Sequence, residues 1–312
     1  MKWWLFMLCC LLLMALSFSG VYLLAISPGE TVDDNEPAEY LIGMSQANLI
    51  EPWRVTMNLE FAQAAAAHDC LRVIYTDAAQ DTQRQISDVN MLMGYGIDLL
   101  VISPNDSEAL RPVLAQVYQE IPVIVLDRAV SGEDYTLFIG PNNDRIGYLA
   151  GLQVIQMLGE AGGRVVEILG TEDSPPVAAR SEGFNRAIAD YPQIVIDQHL
   201  VADWQQDRAE DRFKEYAVTC KQMADVVVAQ SDAMAYGAWI AADKLRVEGV
   251  RFLGMDGLSG GIDLVARGIL DATVYCPTGA RQAVDYILRI LDGEQFSNKQ
   301  VILEPQLILP AA

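Results

Sequence analysis

Two adjacent ionic side chains, Asp127 and Arg128, close the stretch Ile121–Arg128, IPVIVLDR. The apolar run before them, Val123 to Leu126 with Pro122 leading in, reads as a strand buried on both faces of a parallel sheet. In open parallel sheets, ligands sit just beyond the carboxyl ends of the strands. An acceptor and a planar fork of donors placed there can grip a small polar molecule. The plainer alternative is an Asp–Arg pair that closes a loop. Further polar and aromatic residues fall at strand ends or helix starts. They are Gln46, Glu51, Trp53 and Arg54 early in the chain, and Arg180, Trp204, Ser231 and Asp256 later. Carbohydrates need this mixture: C–H faces of the ring stack on aromatics, carboxylates accept from hydroxyls, and Arg donates to neighbouring oxygens. Trp53 and Trp204 could also be core aromatics. Trp204, in VADWQQDR, has polar neighbours that argue against a core position.

Other chemistries find little support. There is no G-x-x-x-x-G-K-[ST] loop and no G-x-S-x-G elbow. The two histidines, His68 and His199, read as surface or capping side chains. Without a histidine pair or a cysteine cluster a zinc site has little to build on, so neither metal nor cofactor is expected. Asp127 and Asp256 could form the acid–base pair of a glycosidase. Both stand beside groups better suited to holding a hydroxyl, and no catalytic residue is assigned.

The rest of the chain sets the frame. At 312 residues two lobes are the default, and 52% hydrophobic with 20% charged residues is a globular composition. A net charge of −21 excludes nucleic acid as a partner, because phosphate contacts need clustered Lys and Arg. Residues 1–26 are distinct. Lys2 precedes the apolar block Trp3–Leu16, and a second apolar block runs from Val21 to Ile26. The segment is either a signal peptide read near Ser17–Ser19 or an uncleaved membrane anchor, and its second block favours the anchor. Cys9 and Cys10 follow Met7 and Leu8 rather than the small residue of a lipobox. The acidic residues Glu30, Asp33, Asp34, Glu36 and Glu39 on the far side place the body outside the cytoplasm. Residues 27–38, rich in Pro, Gly and acid, read as a linker. Cys70, Cys220 and Cys276 give no metal or disulfide pattern and are expected as small buried hydrophobes.

From Tyr40 onward, strand and helix alternate. Strands are expected at Tyr40–Met44, Leu71–Tyr75, Asp98–Ile102, Val123–Leu126 and Leu137–Ile139. A helix near Pro52 shows Val55, Leu59, Ala62 and Ala66 at helical spacing, and Leu110, Val113, Leu114 and Val117 mark another. The pattern then repeats, with strands at Arg164–Leu169, Ile194–Ile196, Asp225–Ala229, Val250–Met255 and Thr273–Tyr275. Ser231 or Asp232 could cap the helix that runs to Leu245. Gln300–Leu309 reads as one extended run. The expected α/β fold is two Rossmann-like, doubly wound parallel-sheet lobes. A three-strand hinge would join them near Gly140, Cys276 and Ser297. The first lobe would hold 39–140 with 277–297, and the second 141–276 with 298–312.

The segments MSQANLIEPWR, IPVIVLDR, VAARSEGF, VADW, VVVAQSDAMAYGA and FLGMDG, in that order, give a specific resemblance. The body resembles the bacterial type I periplasmic sugar-binding proteins of the ribose/galactose group, and within it the galactofuranose-binding branch. The resemblance implies a monomeric receptor that captures a monosaccharide by hinge closure, performs no chemistry and serves an ABC permease, or else feeds a sensor kinase. It implies that Trp53 and Arg54 close over the ligand and that Asp127 and Arg128 bind hydroxyls. Arg180, Trp204 and Asp256 would answer from the second lobe. Repressors of the superfamily carry a DNA-binding domain where this chain has its apolar segment. Two departures stand out: Ser231 replaces the usual Asn, and Tyr275-Cys276-Pro277 replaces a polar contact at the last crossover.

Overall fold

The computed structural model describes residues 40–172 and 174–311, so the expected anchor and linker lie outside the described residues. The chain begins β1 (Tyr40–Gln46), α1 (Pro52–Ala65), β2 (Leu71–Asp77), α2 (Thr82–Gly94), β3 (Leu99–Ser103), α3 (Ser107–Val117), β4 (Val123–Leu126) and β5 (Leu137–Pro141). It restarts with α4 (Asn143–Leu158), β6 (Gly163–Leu169), α5 (Pro175–Ile188), β7 (Ile194–Val201), α6 (Gln206–Thr219), β8 (Val226–Ala229) and α7 (Asp232–Leu245). β9 (Arg251–Asp256), α8 (Ser259–Ala266), β10 (Ala272–Tyr275), α9 (Ala280–Leu291), β11 (Gln300–Leu303) and β12 (Gln306–Ile308) complete it. Helix α8 escapes the sequence pattern because two glycines, Gly260 and Gly261, interrupt its short apolar run.

Two six-stranded sheets result, ordered β11-β5-β4-β3-β1-β2 and β12-β10-β9-β8-β6-β7. The orders are equivalent, and all pairs are parallel except β10 with β12. Each sheet therefore reverses direction between its first and third strands. That is where a doubly wound sheet opens a crevice at its carboxyl edge.

Successive strand residues point to opposite faces, and both faces of both sheets are covered. One apolar cluster is continuous through both lobes. It joins Ile42, Leu99 and Ile139 to Val154 of α4, Phe184 of α5, Val228 and Leu253, and Val284 and Ile287 of α9. The other faces carry separate clusters, around Leu100 and Val125 in one sheet and around Val227 and Phe213 in the other.

Three features differ from the sequence reading. On α1 the buried residues are Trp53, Arg54, Met57, Phe61 and Ala65, while Val55 and Leu59 are exposed. Apolar side chains occur all round this helix, so two registers satisfy the period and only packing chooses between them. The third crossover lies at Glu304–Pro305 rather than near Ser297, because Gln300–Leu303 pairs with β5 and Gln306–Ile308 with β10. Pro305 has no N–H for a ladder, which divides the extended run in two. Of the three cysteines among the described residues only Cys276 is buried; Cys70 and Cys220 are partly exposed, and all three are free thiols.

Helices α4 and α5 approach closely enough to fix part of the cleft. A Cβ on Gly147 would lie 1.8 Å from the carbonyl oxygen of Arg180, and one on Gly183 would lie 1.9 Å from that of Asp144. Gly147→Ala should therefore push α5 away and lower the unfolding free energy by about 1–3 kcal/mol. Denaturant melts check this, and an unchanged midpoint would mean that the helices separate freely.

Candidate ligand-binding site

The carboxyl end of β4 turns sharply. Arg128 N–H donates to the Leu126 carbonyl at 3.0 Å around Asp127, which has φ 72. This is the strained three-residue turn with a positive central φ. Asp127 N–H donates to Ile139 at 2.9 Å, and Gly140 leaves room for the Asp127 carbonyl, which would lie 2.9 Å from a Cβ there. Asp127 Oδ2 accepts from Arg54 Nη2 at 2.9 Å, and Arg54 Nη1 donates to Ser103 Oγ at 2.7 Å. Arg54 Nε meets Glu51 Oε2 at 2.9 Å, and Glu51 Oε1 accepts from Asn48 at 3.2 Å. Arg54 thus joins two carboxylates within the first lobe. Arg128 has a different solution. Its Nη1 donates to the Asn105 carbonyl at 3.0 Å, and among the described residues it forms no ion pair. Burial, and next the charge of Arg54, lower its pKa to about 10, so it remains a cation at neutral pH.

The second lobe answers with Arg180. Its Nε donates to Asn143 Oδ1 at 2.9 Å, Nη1 donates to the Gln230 carbonyl, and Nη2 lies 3.3 Å from Cys276 Sγ. The Trp204 ring lies 5.5 Å from the guanidinium carbon. Asp203 and Trp204 are consecutive residues at φ 51 and 65, and this kink swings the indole onto Gly170. A Cβ on Gly170 would lie 2.0 Å from the ring, so only glycine fits. Ser231, not Asp232, caps α7, its Oγ accepting from Met234 N–H at 3.2 Å. Asp256 ends β9 at φ 134.

Nine of the ten residues singled out in the sequence line one cavity between the lobes. Glu51, Trp53, Arg54, Asp127 and Arg128 come from the first lobe, and Arg180, Trp204, Ser231 and Asp256 from the second. Gln46 is the exception: it is fully buried, and neither end of its amide has a partner. Trp53 Nε1 donates to the Cys276 carbonyl at 2.9 Å, which anchors the indole edge. The sequence reading missed the apolar wall made by Pro176 and Ala233, the buried supports Ser103, Gln230 and Asp232, and the half-buried Asn143. None carries a signal beyond its position just after a strand. His199 lies inside β7 opposite Glu167. No cluster able to hold a metal occurs among the described residues.

The arrangement can hold hydroxyls from all sides: carboxylates accept, guanidiniums donate, and two indoles supply apolar surface. Strain at Asp127, Trp204 and Asp256 is of the kind that clusters where a ligand is clamped. The protonation of the second lobe is also unusual. Burial, and next the charge of Asp232, hold the Asp256 carboxyl well above the usual carboxylate range. Burial pushes Asp232 up to about 6.

Two doubly wound lobes on either side of a polar cavity are the architecture of a solute receptor. The chain belongs to the periplasmic binding protein family, whose domain matches residues 42–295. The ribose import binding protein of Salmonella typhimurium is 28% identical over 279 residues, 88% of this chain and 93% of that protein. The galactofuranose-binding protein of Escherichia coli is 25% identical over 280 residues, 88% and 80% of the two chains. Among solved structures, the fructose-binding periplasmic domain of a hybrid two-component system superposes with a TM-score of 0.81. It is 31% identical, with 86% of this chain and 90% of that one covered.

A group with a raised carboxyl pKa opposes folding once it ionises, so its contribution is complete at low pH and is lost as pH rises. From pH 5 to pH 8 the wild type should lose stability, because the unfolded chain ionises both carboxyls while the fold holds Asp232 and Asp256 protonated to higher pH than usual. Asp256→Asn should flatten that decline, measured by thermal unfolding at the two values. An equal decline in the variant would show that Asp256 is already ionised at pH 5.

Proposed function

We propose that the chain is an extracytoplasmic receptor that captures a monosaccharide, or a polyol of similar size, by closing its two lobes and presents it to an ABC permease. The observation that carries this reading is the convergence of Arg54, Asp127 and Arg128 from one lobe with Arg180, Trp204 and Asp256 from the other on a single cavity. The relatives named for ribose and galactofuranose support the ligand class. The place of Asp127 argues for holding rather than chemistry, since its carboxylate is already engaged by Arg54 and Ser103. The receptor acts as a monomer in this reading.

The solved fructose-binding domain of a two-component system supports a second reading, delivery of the closed form to a sensor kinase. Residues 1–26 bear on both. No helix among the described residues is long and apolar enough to cross a membrane, and residues 1–26 lie outside those residues. An uncleaved anchor with a linker over residues 27–38 gives a reach of roughly 20 Å. Such a tether raises the effective concentration of the receptor at a membrane partner.

Titration with D-ribose, D-fructose and D-galactofuranose should give saturable binding and a more compact scattering profile, with no chromophore released from aryl glycosides. Arg128→Ala should weaken binding by about 1.5–3 kcal/mol, ten- to a hundredfold, with an unchanged melting temperature. Turnover that Asp127→Asn abolishes would replace the receptor by a glycosidase. A loss of stability with affinity spared would make Asp127–Arg128 a loop closure only. N-terminal sequencing of the native protein should find residue 1 or 2 at the start; a mature chain beginning near Gly20 would remove the tether.

A further inference from the structure

Asp232 is a buried carboxyl that the binding cavity does not touch directly. It is only 6% exposed, and α7 does not need it as a cap because Ser231 fills that role. Among the described residues it forms no ion pair. A carboxyl taken out of water without a cation is destabilising, so its retention asks for a reason. The surroundings are built around it. Thr273 Oγ1 on β10 donates to Oδ1 at 2.5 Å, and Gly257 N–H donates to Oδ2 at 2.8 Å. A Cβ on Gly254 of β9 would lie 2.2 Å from Oδ1, and one on Gly261 of α8 would lie 1.9 Å from Oδ2. Four elements therefore meet at this one side chain, two of them leaving space for it by having no side chain.

The bond to Gly257 is the informative one. Gly257 follows Asp256, and the two residues have φ 58 and 134 respectively. A non-glycine residue in that region is strained and persists only where its surroundings hold it. Asp232 Oδ2 holds the N–H of the peptide that leaves Asp256, and the carbonyl of the same peptide accepts from Cys276 N–H at 2.9 Å. We propose that Asp232 is a positioning residue: from behind the cavity it braces the Asp256–Gly257 turn, so that Asp256 presents its carboxyl to the ligand. The inference rests on the receptor reading for its ligand, though not for its geometry. The brace has a second effect, because Asp232 places one acid against another. The charged groups facing Asp256 are Asp232 from α7, Arg180 from α5 and Glu51 ahead of α1, and Arg180 also faces Asp232. Burial pushes the neighbouring Cys276 thiol up to about 12, so it stays neutral throughout.

Asp232→Ala removes both carboxylate acceptors, and with them the bond from Gly257 N–H and the like charge, whereas Asn could still accept from Gly257 while donating to the Thr273 hydroxyl. In the purified full-length protein without ligand, the Asp256 carboxyl is followed by ¹³C NMR, with Asp256→Asn used for assignment. Its titration should move to lower pH in Asp232→Ala, and a crystal structure should show Asp256 away from its strained φ. In parallel, D-ribose affinity should fall about tenfold or more. Thr273→Val, which leaves α7 untouched, should shift all three readouts in the same direction by less, and it decides the matter if Asp232→Ala does not fold. An Asp256 titration and conformation equal to wild type in the folded variants would overturn the proposal and leave Asp232 a structural residue. If the wild type binds none of the three sugars, the receptor reading fails, while the ligand-free titration still decides the brace.

Discussion

Three guanidinium groups are withdrawn from water in one cleft, with exposures of 3% for Arg54, 8% for Arg128 and 5% for Arg180. Burying an ionised group is strongly unfavourable unless hydrogen bonds or opposite charge replace its hydration. Each arginine meets this demand differently. Arg54 has two carboxylates, Arg128 a single peptide carbonyl, and Arg180 three uncharged acceptors with an indole beside it. Of the three, Arg54 alone forms ion pairs with carboxylates among the described residues. The others keep donor capacity directed at the cavity, and a hydroxyl-rich solute with many lone pairs is suited to use it.

The backbone around the cleft is arranged to supply those acceptors. The γ-turn at Asp127, the left-handed pair Asp203–Trp204 and the strained end of β9 all lie at carboxyl edges of strands. At such an edge the ladder no longer dictates the conformation. Packing fixes them instead: Gly140 beside the Asp127 carbonyl, Gly170 under Trp204 and Asp232 behind Asp256. These contacts connect distant parts of the chain within each lobe.

The sequence revealed what depends on local pattern. Alternating apolar runs and helix starts located both sheets, and charged residues just after buried strands, such as Asp127 and Asp256, pointed to the cleft. What depends on choices between equivalent patterns stayed hidden. The apolar residues of α1 fit two faces equally well, and only tertiary packing selects the one that carries Trp53 and Arg54 inward. The final extended run gave no sign that its halves belong to different sheets, because strand partners are set by distant residues. Gln46 looked like a ligand contact from its place at the end of β1, but its side chain points into the protein, a direction that position alone does not give. Asp232 read as a helix-cap candidate because its task involves Gly254, Gly257, Gly261 and Thr273, none of them near it in sequence.

The short third crossover sets a mechanical limit. Only Glu304 and Pro305 separate the strand bound to the first sheet from the strand bound to the second. With Cα atoms about 3.8 Å apart, Leu303 and Gln306 can never be more than about 11 Å from each other while both strands stay paired. The lobes cannot slide apart along that edge. Their relative motion must be a rotation that keeps this corner nearly stationary and moves the opposite side of the cleft most, in the manner of a book held at its spine.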